Sequence, residues 1–175
     1  MKPSAFCTIA TNGAMKDLLA LVNSMSLHMP GARLYVLCDT ETKGYVEKDY
    51  FSNKIDIRWK VSLNKYTNKN REQMEKEKIW SDFQMEKTNS LLWAFEEGEP
   101  DVMFLDADLF ILKEIVFEGY SGEDVALSPH GIRKVFEDRY GKYNGGVFWT
   151  KNKDAIQTWR DHFATSRYYD QACLE

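Results

Sequence analysis

The chain has 175 residues, with 23 Lys and Arg against 27 Asp and Glu, a net charge of −4 and an apolar fraction of 43%. That length fits one domain spanning residues 1–175, and the composition excludes general disorder. The acidic balance argues against a nucleic-acid partner, yet it tolerates an anionic ligand whose charge a metal ion offsets locally. Cys7, Cys38 and Cys173 are too few and too scattered for a disulfide framework or a zinc site. Cys7 and Cys38 lie in apolar runs and read as buried free thiols. No apolar run approaches the roughly 18 residues of a membrane helix, and the apolar start is too short for a signal peptide. The expectation is a cytoplasmic protein with no transmembrane segment in this chain, any membrane association being left to regions outside it.

In chain order, Ala5–Ala10 is an apolar run that reads as a strand, ended by the turn Thr11-Asn12-Gly13. Met15, Leu18, Leu19 and Val22 recur at helical spacing and predict a helix over residues 14–27, stopped by Pro30-Gly31. Arg33–Cys38 is a second strand, ending at Asp39, and the strand–helix–strand unit favours a parallel pair. Residues 55–60 alternate as a third strand. Residues 64–78 mix both charges and read either as a solvated loop or helix start, or as a lid over a site. A long helix over 79–97 is closed by Gly98 and Pro100. Val102–Leu105 is wholly apolar, as at the centre of a sheet. Further strands are predicted at 125–128 and Tyr143–Thr150, and a helix at 153–166. Residues 170–175 look like an opening helical turn capped by Asp170, so the chain is expected to be a fragment of a longer one. The fold class is α/β, with a mixed, mainly parallel sheet flanked by helices.

The sharpest feature is Asp106-Ala107-Asp108, set between the apolar runs Val102–Leu105 and 109–112. Ligands of open α/β sheets bind at the carboxyl edge, where this pair emerges. In an extended chain, residues two apart point the same way, so both carboxylates are expected to converge on one hard divalent cation. Lys87 is a second signal. Phe83 and Leu91 lie four residues either side, which puts a lysine on an apolar helical stripe where lysine is depleted. Either it snorkels at the edge of the core, or it is directed at a diphosphate or at the Asp106–Asp108 cluster. On both readings Lys87→Met is expected to leave the melting temperature unchanged or higher. His130, between Pro129 and Gly131 after a strand, is a candidate substrate or metal contact. Tyr140 and Tyr143 are candidates for stacking on a sugar or base, or for ordinary burial.

With these residues in place the chain resembles the metal-dependent glycosyltransferases of the GT-A fold. The likeness is nearest to the branch holding glycogenin and the bacterial lipopolysaccharide galactosyltransferases, and to related bacterial and viral transferases. FCTIATNGAM is similar to that family's nucleotide-binding start, LYVLCD to its second strand, and FLDADLFIL to its metal motif. YNGGVFWT resembles its Asn-small-Gly lead into a strand, and Asp170-Gln171 its Asp-Gln pair. The resemblance implies transfer of a hexose from a nucleotide-diphospho-sugar, with UDP the commonest carrier, to a glycan, lipid or protein hydroxyl, with retention at the anomeric carbon. It implies Mn2+ or Mg2+ on Asp106 and Asp108. Ala10, Thr11, Asn12 and Asp39 would border the base and ribose, Asp39 reading equally well as a cap. Asn144, Gly145 and Gly146 would let backbone approach the donor, and Asp170 and Gln171 would face the donor sugar or the acceptor. A non-catalytic nucleotide-sugar-binding domain is the alternative. A phosphatase of the haloacid dehalogenase type is a more distant one, because Phe110 stands where those enzymes carry Thr or Val.

Overall fold

The computed structural model describes residues 1–50, 52–131, 133–163 and 165–175. Its six strands are β1 (Ala5–Ala10), β2 (Arg33–Cys38), β3 (Asp56–Val61), β4 (Val102–Leu105), β5 (Val125–Pro129) and β6 (Tyr143–Thr150). They form one sheet in the order β3-β2-β1-β4-β6-β5. The pairs β3–β2, β2–β1 and β1–β4 are parallel, and β6 runs antiparallel to both neighbours. The expected mixed, mainly parallel sheet is therefore present. Among the described residues no helix is long and apolar enough to cross a membrane.

Side-chain alternation divides the core into two layers. Phe6, Leu34, Val36, Met103, Leu105 and Trp149 face α1 (Met15–His28) and α2 (Thr40–Asp49). Cys7, Ile9, Tyr35, Val102, Phe104 and Phe148 face α4 (Trp80–Glu96) and α6 (Lys153–Phe163). Burial on both faces explains why β1 and β4 read as continuous apolar runs. It also places Asp106. Continuing the alternation of Val102 and Phe104, the residue after Leu105 leaves the strand on the α4 side. Cys7 and Cys38 are buried thiols; burial pushes the Cys38 thiol up to about 12.

Three stretches depart from the sequence expectation. Residues 40–49 form α2, although only Thr42 and Val46 are buried there, so the apolar signal is too thin to read. Lys134–Tyr140 forms α5, a helix too short for a periodic signal to show and with no buried residue. Within 64–78, a 3-10 turn at Asn64–Tyr66 precedes α3 (Arg71–Lys76), which opens on a capping box between Asn70 and Gln73.

Asp39 joins three of these elements. One carboxylate oxygen accepts from Thr42 N at 2.8 Å and caps α2. The other accepts from Asn12 N and Thr67 Oγ1, each at 2.9 Å. Burial alone favours the neutral acid, but these hydrogen bonds outweigh it and hold the carboxyl below its ordinary value of 3.8. A depressed carboxylate contributes stability that is present above pH ~4 and is lost as pH falls through the lowered value. Asp39→Ala is expected to cost about 1–3 kcal/mol, and Asp39→Asn to keep the cap while flattening the acid limb of stability. Urea melts from pH 2 to 7 check both; an unaltered acid limb in Asp39→Asn contradicts the assignment.

Candidate functional site

The carboxyl ends of β1 and β4 open on a cleft of about 560 Å³. Its lining includes Ala10, Thr11, Lys87, Asp106, Asp108, Asp170 and Gln171, seven of the residues singled out by sequence. Lys87, on α4, is 5% exposed, and Asp170 is 4% exposed. Lys87 Nζ donates to Asp170 Oδ2 at 2.7 Å and to the Gly145 carbonyl at 3.2 Å, and stands 3.1 Å from Asp106 Oδ1. It does not snorkel: the ammonium ends on carboxylates inside the protein. Burial penalises the charged amine, but Asp106 and Asp170 outweigh that and hold its pKa above the ordinary lysine value. Burial raises the Asp106 pKa above its ordinary value, with Lys87 opposing and Asp170 and Asp108 adding to the shift.

Two glycines make room for this network. A Cβ on Gly146 would press on the Asp106 carboxylate, whose Cγ would lie 2.9 Å away. A Cβ on Gly145 would press on the Asp170 carboxylate, with Cγ at 3.0 Å. β6 thus presents two bare backbone positions, each covered by one acidic side chain. Asp106 N also donates to Gly146 O at 2.9 Å, which fixes the start of the turn after β4. Asp170 is held from behind by its carbonyl, which accepts from Trp159 Nε1 at 2.8 Å.

The Asp-x-Asp segment is not extended, contrary to the expectation. β4 ends at Leu105, and Leu109 N donates to Asp106 O at 3.2 Å, so residues 106–109 form a turn. The two aspartates still reach one cleft, because the turn folds Asp108 back to its mouth. Asp108 is exposed and has no hydrogen-bond or ion-pair partner among the described residues. No group of three His, Cys, Asp or Glu side chains suited to a metal ion is found among the described residues. The donor set is instead one free carboxylate beside one shared with Lys87. That chemistry suits a hard divalent cation such as Mg2+ or Mn2+ that draws its other ligands from water and a phosphate-bearing partner.

Other residues singled out by sequence lie beside the cleft rather than in its lining. Asp39 is fully buried and spends both oxygens on backbone and Thr67. Asn12 binds the 64–70 segment, its Oδ1 accepting from Asn68 N at 2.9 Å. Asn144 turns its Oδ1 onto Gly146 N at 2.8 Å. His130 is half-buried at the end of β5, with Nε2 unpartnered. Tyr140 packs edge-on against Tyr168 at 4.7 Å and is not part of the lining, and neither is Tyr143.

Sequence reasoning missed the aromatic wall. Trp80, Phe83, Tyr168 and Tyr169 line the cleft, with Arg71 stacked 5.2 Å from the Trp80 ring and 5.5 Å from that of Tyr169. The wall joins α3, α4 and the segment before Asp170, which no local pattern connects. The segment over 64–78 does reach the site, through Lys69, Asn70, Arg71 and Met74.

The Lys87 environment reverses the expectation for its removal. Lys87→Met leaves two carboxylates without their cation and is expected to destabilise by about 3 kcal/mol, most of which Lys87→Met/Asp170→Asn recovers. Thermal melts of both variants test this; a single variant as stable as the parent contradicts the buried pair. Gly146→Ala is expected to fold with a modest loss of stability and to displace the Asp106 carboxylate, seen as lost carboxylate chemical shifts at Asp106 with the Asp39 signal unmoved.

No protein-family profile matches the sequence, and no curated protein matches it. Among solved structures the fold is similar to the galactosyltransferase LgtC, solved in complex with donor and acceptor sugar analogues. The TM-score is 0.64 at 13% sequence identity, over 97% of this chain and 69% of that one. The architecture of this chain is accordingly of the GT-A, Rossmann-like kind.

Proposed function

We propose that the domain transfers a hexosyl group from a nucleotide-diphospho-sugar to an acceptor hydroxyl. The observation that carries this reading is the acidic turn leaving β4, with Asp106 tied through Lys87 to Asp170 on the floor of a cleft at the carboxyl edge of the sheet. The likeness of the fold to a galactosyltransferase supports it. So does the resemblance of five sequence segments, in order, to metal-dependent glycosyltransferases.

On this reading Asp106 and Asp108 hold a divalent cation, Mn2+ or Mg2+. When bound, that ion supplies positive charge to the diphosphate leaving group. Ala10 and Thr11 border the nucleoside at the end of β1. Lys87 spends its charge on Asp106 and Asp170, so it orders the two carboxylates rather than gripping the phosphates. Asp170, fixed by Lys87 and Trp159, faces the sugar with Gln171 beside it. Trp80, Phe83, Tyr168 and Tyr169 give an apolar wall against which a sugar or base ring can lie, and they exclude water from that side. Retention at the anomeric carbon is the outcome the resemblance implies.

Purified protein with Mn2+ is expected to hydrolyse a UDP-sugar slowly to UDP and free sugar when no acceptor is present. Asp106→Ala and Asp108→Ala, with circular dichroism unchanged, are expected to bind the donor at least about tenfold more weakly, a loss of ~1.4 kcal/mol or more. Parent-like calorimetric affinity in either variant overturns the metal assignment. A phosphorylated Asp106 trapped by mass spectrometry overturns the transferase reading in favour of a phosphatase.

A further inference from the structure

We infer that Lys87 is a counter-charge that keeps the cleft from holding a divalent cation tightly until a diphosphate arrives, so that cation and diphosphate enter as one unit. The inference rests on the reading of Asp106 and Asp108 as cation ligands and goes beyond it, by assigning to Lys87 the dependence of one ligand on the other. Two carboxylates, those of Asp106 and Asp170, hold a single ammonium, and Asp108 lines the same cleft without pairing to it. That ammonium does not sit symmetrically between the cleft and the core. It stands 3.1 Å from Asp106 Oδ1, on the very carboxylate a cation would share. The other oxygen of Asp106 lies against Gly146, where even a Cβ has no room. Asp108 alone is unencumbered. A bare divalent ion would therefore meet one free carboxylate and a second whose charge is partly offset by the ammonium beside it, so it is held less tightly than by two unpaired carboxylates.

Lys87 has no evident freedom to withdraw. Its ammonium lies over the Phe104 ring, 5.3 Å from Nζ to the ring centroid, and is also bonded to Asp170 and to the Gly145 carbonyl. The offset of the Asp106 charge is thus built in. A diphosphate brings several negative charges and its own oxygen ligands, which restore a favourable balance for the cation. Coupling of this kind is reciprocal, so the cation must raise diphosphate affinity by the same factor. No bond is made or broken in this step, and Lys87 acts as a positioning residue.

The test measures Mn2+ alone, by the loss of its free electron paramagnetic resonance signal, and preformed Mn2+–UDP, by calorimetry. The parent is expected to bind Mn2+–UDP well and Mn2+ alone weakly. Lys87→Met is expected to bind Mn2+ alone about tenfold more tightly or better, while gaining much less for Mn2+–UDP. Lys87→Met/Asp170→Asn removes the ammonium without leaving Asp170 as a buried unpaired charge, and it is expected to show the same direction if the single variant folds poorly. Lys153→Met, the same charge change at an exposed position at the start of α6 outside the cleft lining, is expected to bind like the parent. If the parent binds Mn2+–UDP but neither Lys87 variant gains affinity for Mn2+ alone, the counter-charge inference is overturned and the cation site stands. If the parent binds Mn2+ in neither form, the cation site fails and this inference with it.

Discussion

An ammonium buried among apolar side chains must find anionic partners, and Lys87 finds two that lie far away in sequence. Asp170 is 83 positions downstream, yet its carboxylate lies 2.7 Å from Lys87 Nζ. This one requirement ties α4, the turn after β4 and the segment after α6 to a common point. Remove the cation and the buried Asp170 carboxylate is left unpaired beside that of Asp106, which is the costly half of a buried ion pair. The site is therefore as much a structural lock as a chemical one. Its geometry is kept by the same electrostatics that any ligand must later negotiate.

The network is also shaped from the sheet side. Gly145 and Gly146 lie where β6 passes beneath the two carboxylates, and neither position has room for a Cβ. An antiparallel strand inserted next to β4 brings these glycines alongside, since Leu105 pairs with Val147 and Asp106 N reaches Gly146 O. On the opposite flank Asp39 fastens the end of β1 to the start of α2 and to Thr67, so the backbone of residues 10–12 has little freedom. Rigid elements thus hold the floor, while one wall comes from α3 and the loop before it. Division of labour of this kind, fixed carboxylates and a loop-borne wall, is usual for sites at the carboxyl edge of α/β sheets.

Much of this was legible in the sequence where a residue contradicted its surroundings. Lysine on an apolar stripe marked Lys87, and paired aspartates between apolar runs marked Asp106 and Asp108. β1 and β4 were legible because burial on both faces removes polar alternation, and β3 because its half-exposed position keeps the alternation. What stayed hidden was either thin in signal or non-local. α2 buries only Thr42 and Val46, so its periodicity is lost among charges. The aromatic wall joins Trp80 to Tyr169, 6.4 Å apart in space and on separate elements. Asp-x-Asp read as a short extended segment because the strand before it is extended, and only the backbone hydrogen bond from Leu109 N to Asp106 O reveals the turn. Asp39 read equally as cap or ligand; its oxygens are committed to capping and to Asn12 and Thr67, a choice set by α2, which the sequence did not disclose.

Where a divalent cation and a nucleoside diphosphate settle decides the role of Asp106 and Asp108. Anomalous diffraction at the manganese edge, from crystals grown with Mn2+ and UDP, locates the ion directly. A single strong peak within coordination distance of both the Asp106 and Asp108 carboxylates, with diphosphate oxygens completing its shell and Lys87 still on Asp170, is the predicted result. Bound UDP with no manganese peak between those carboxylates, or a peak elsewhere on the protein, would contradict it.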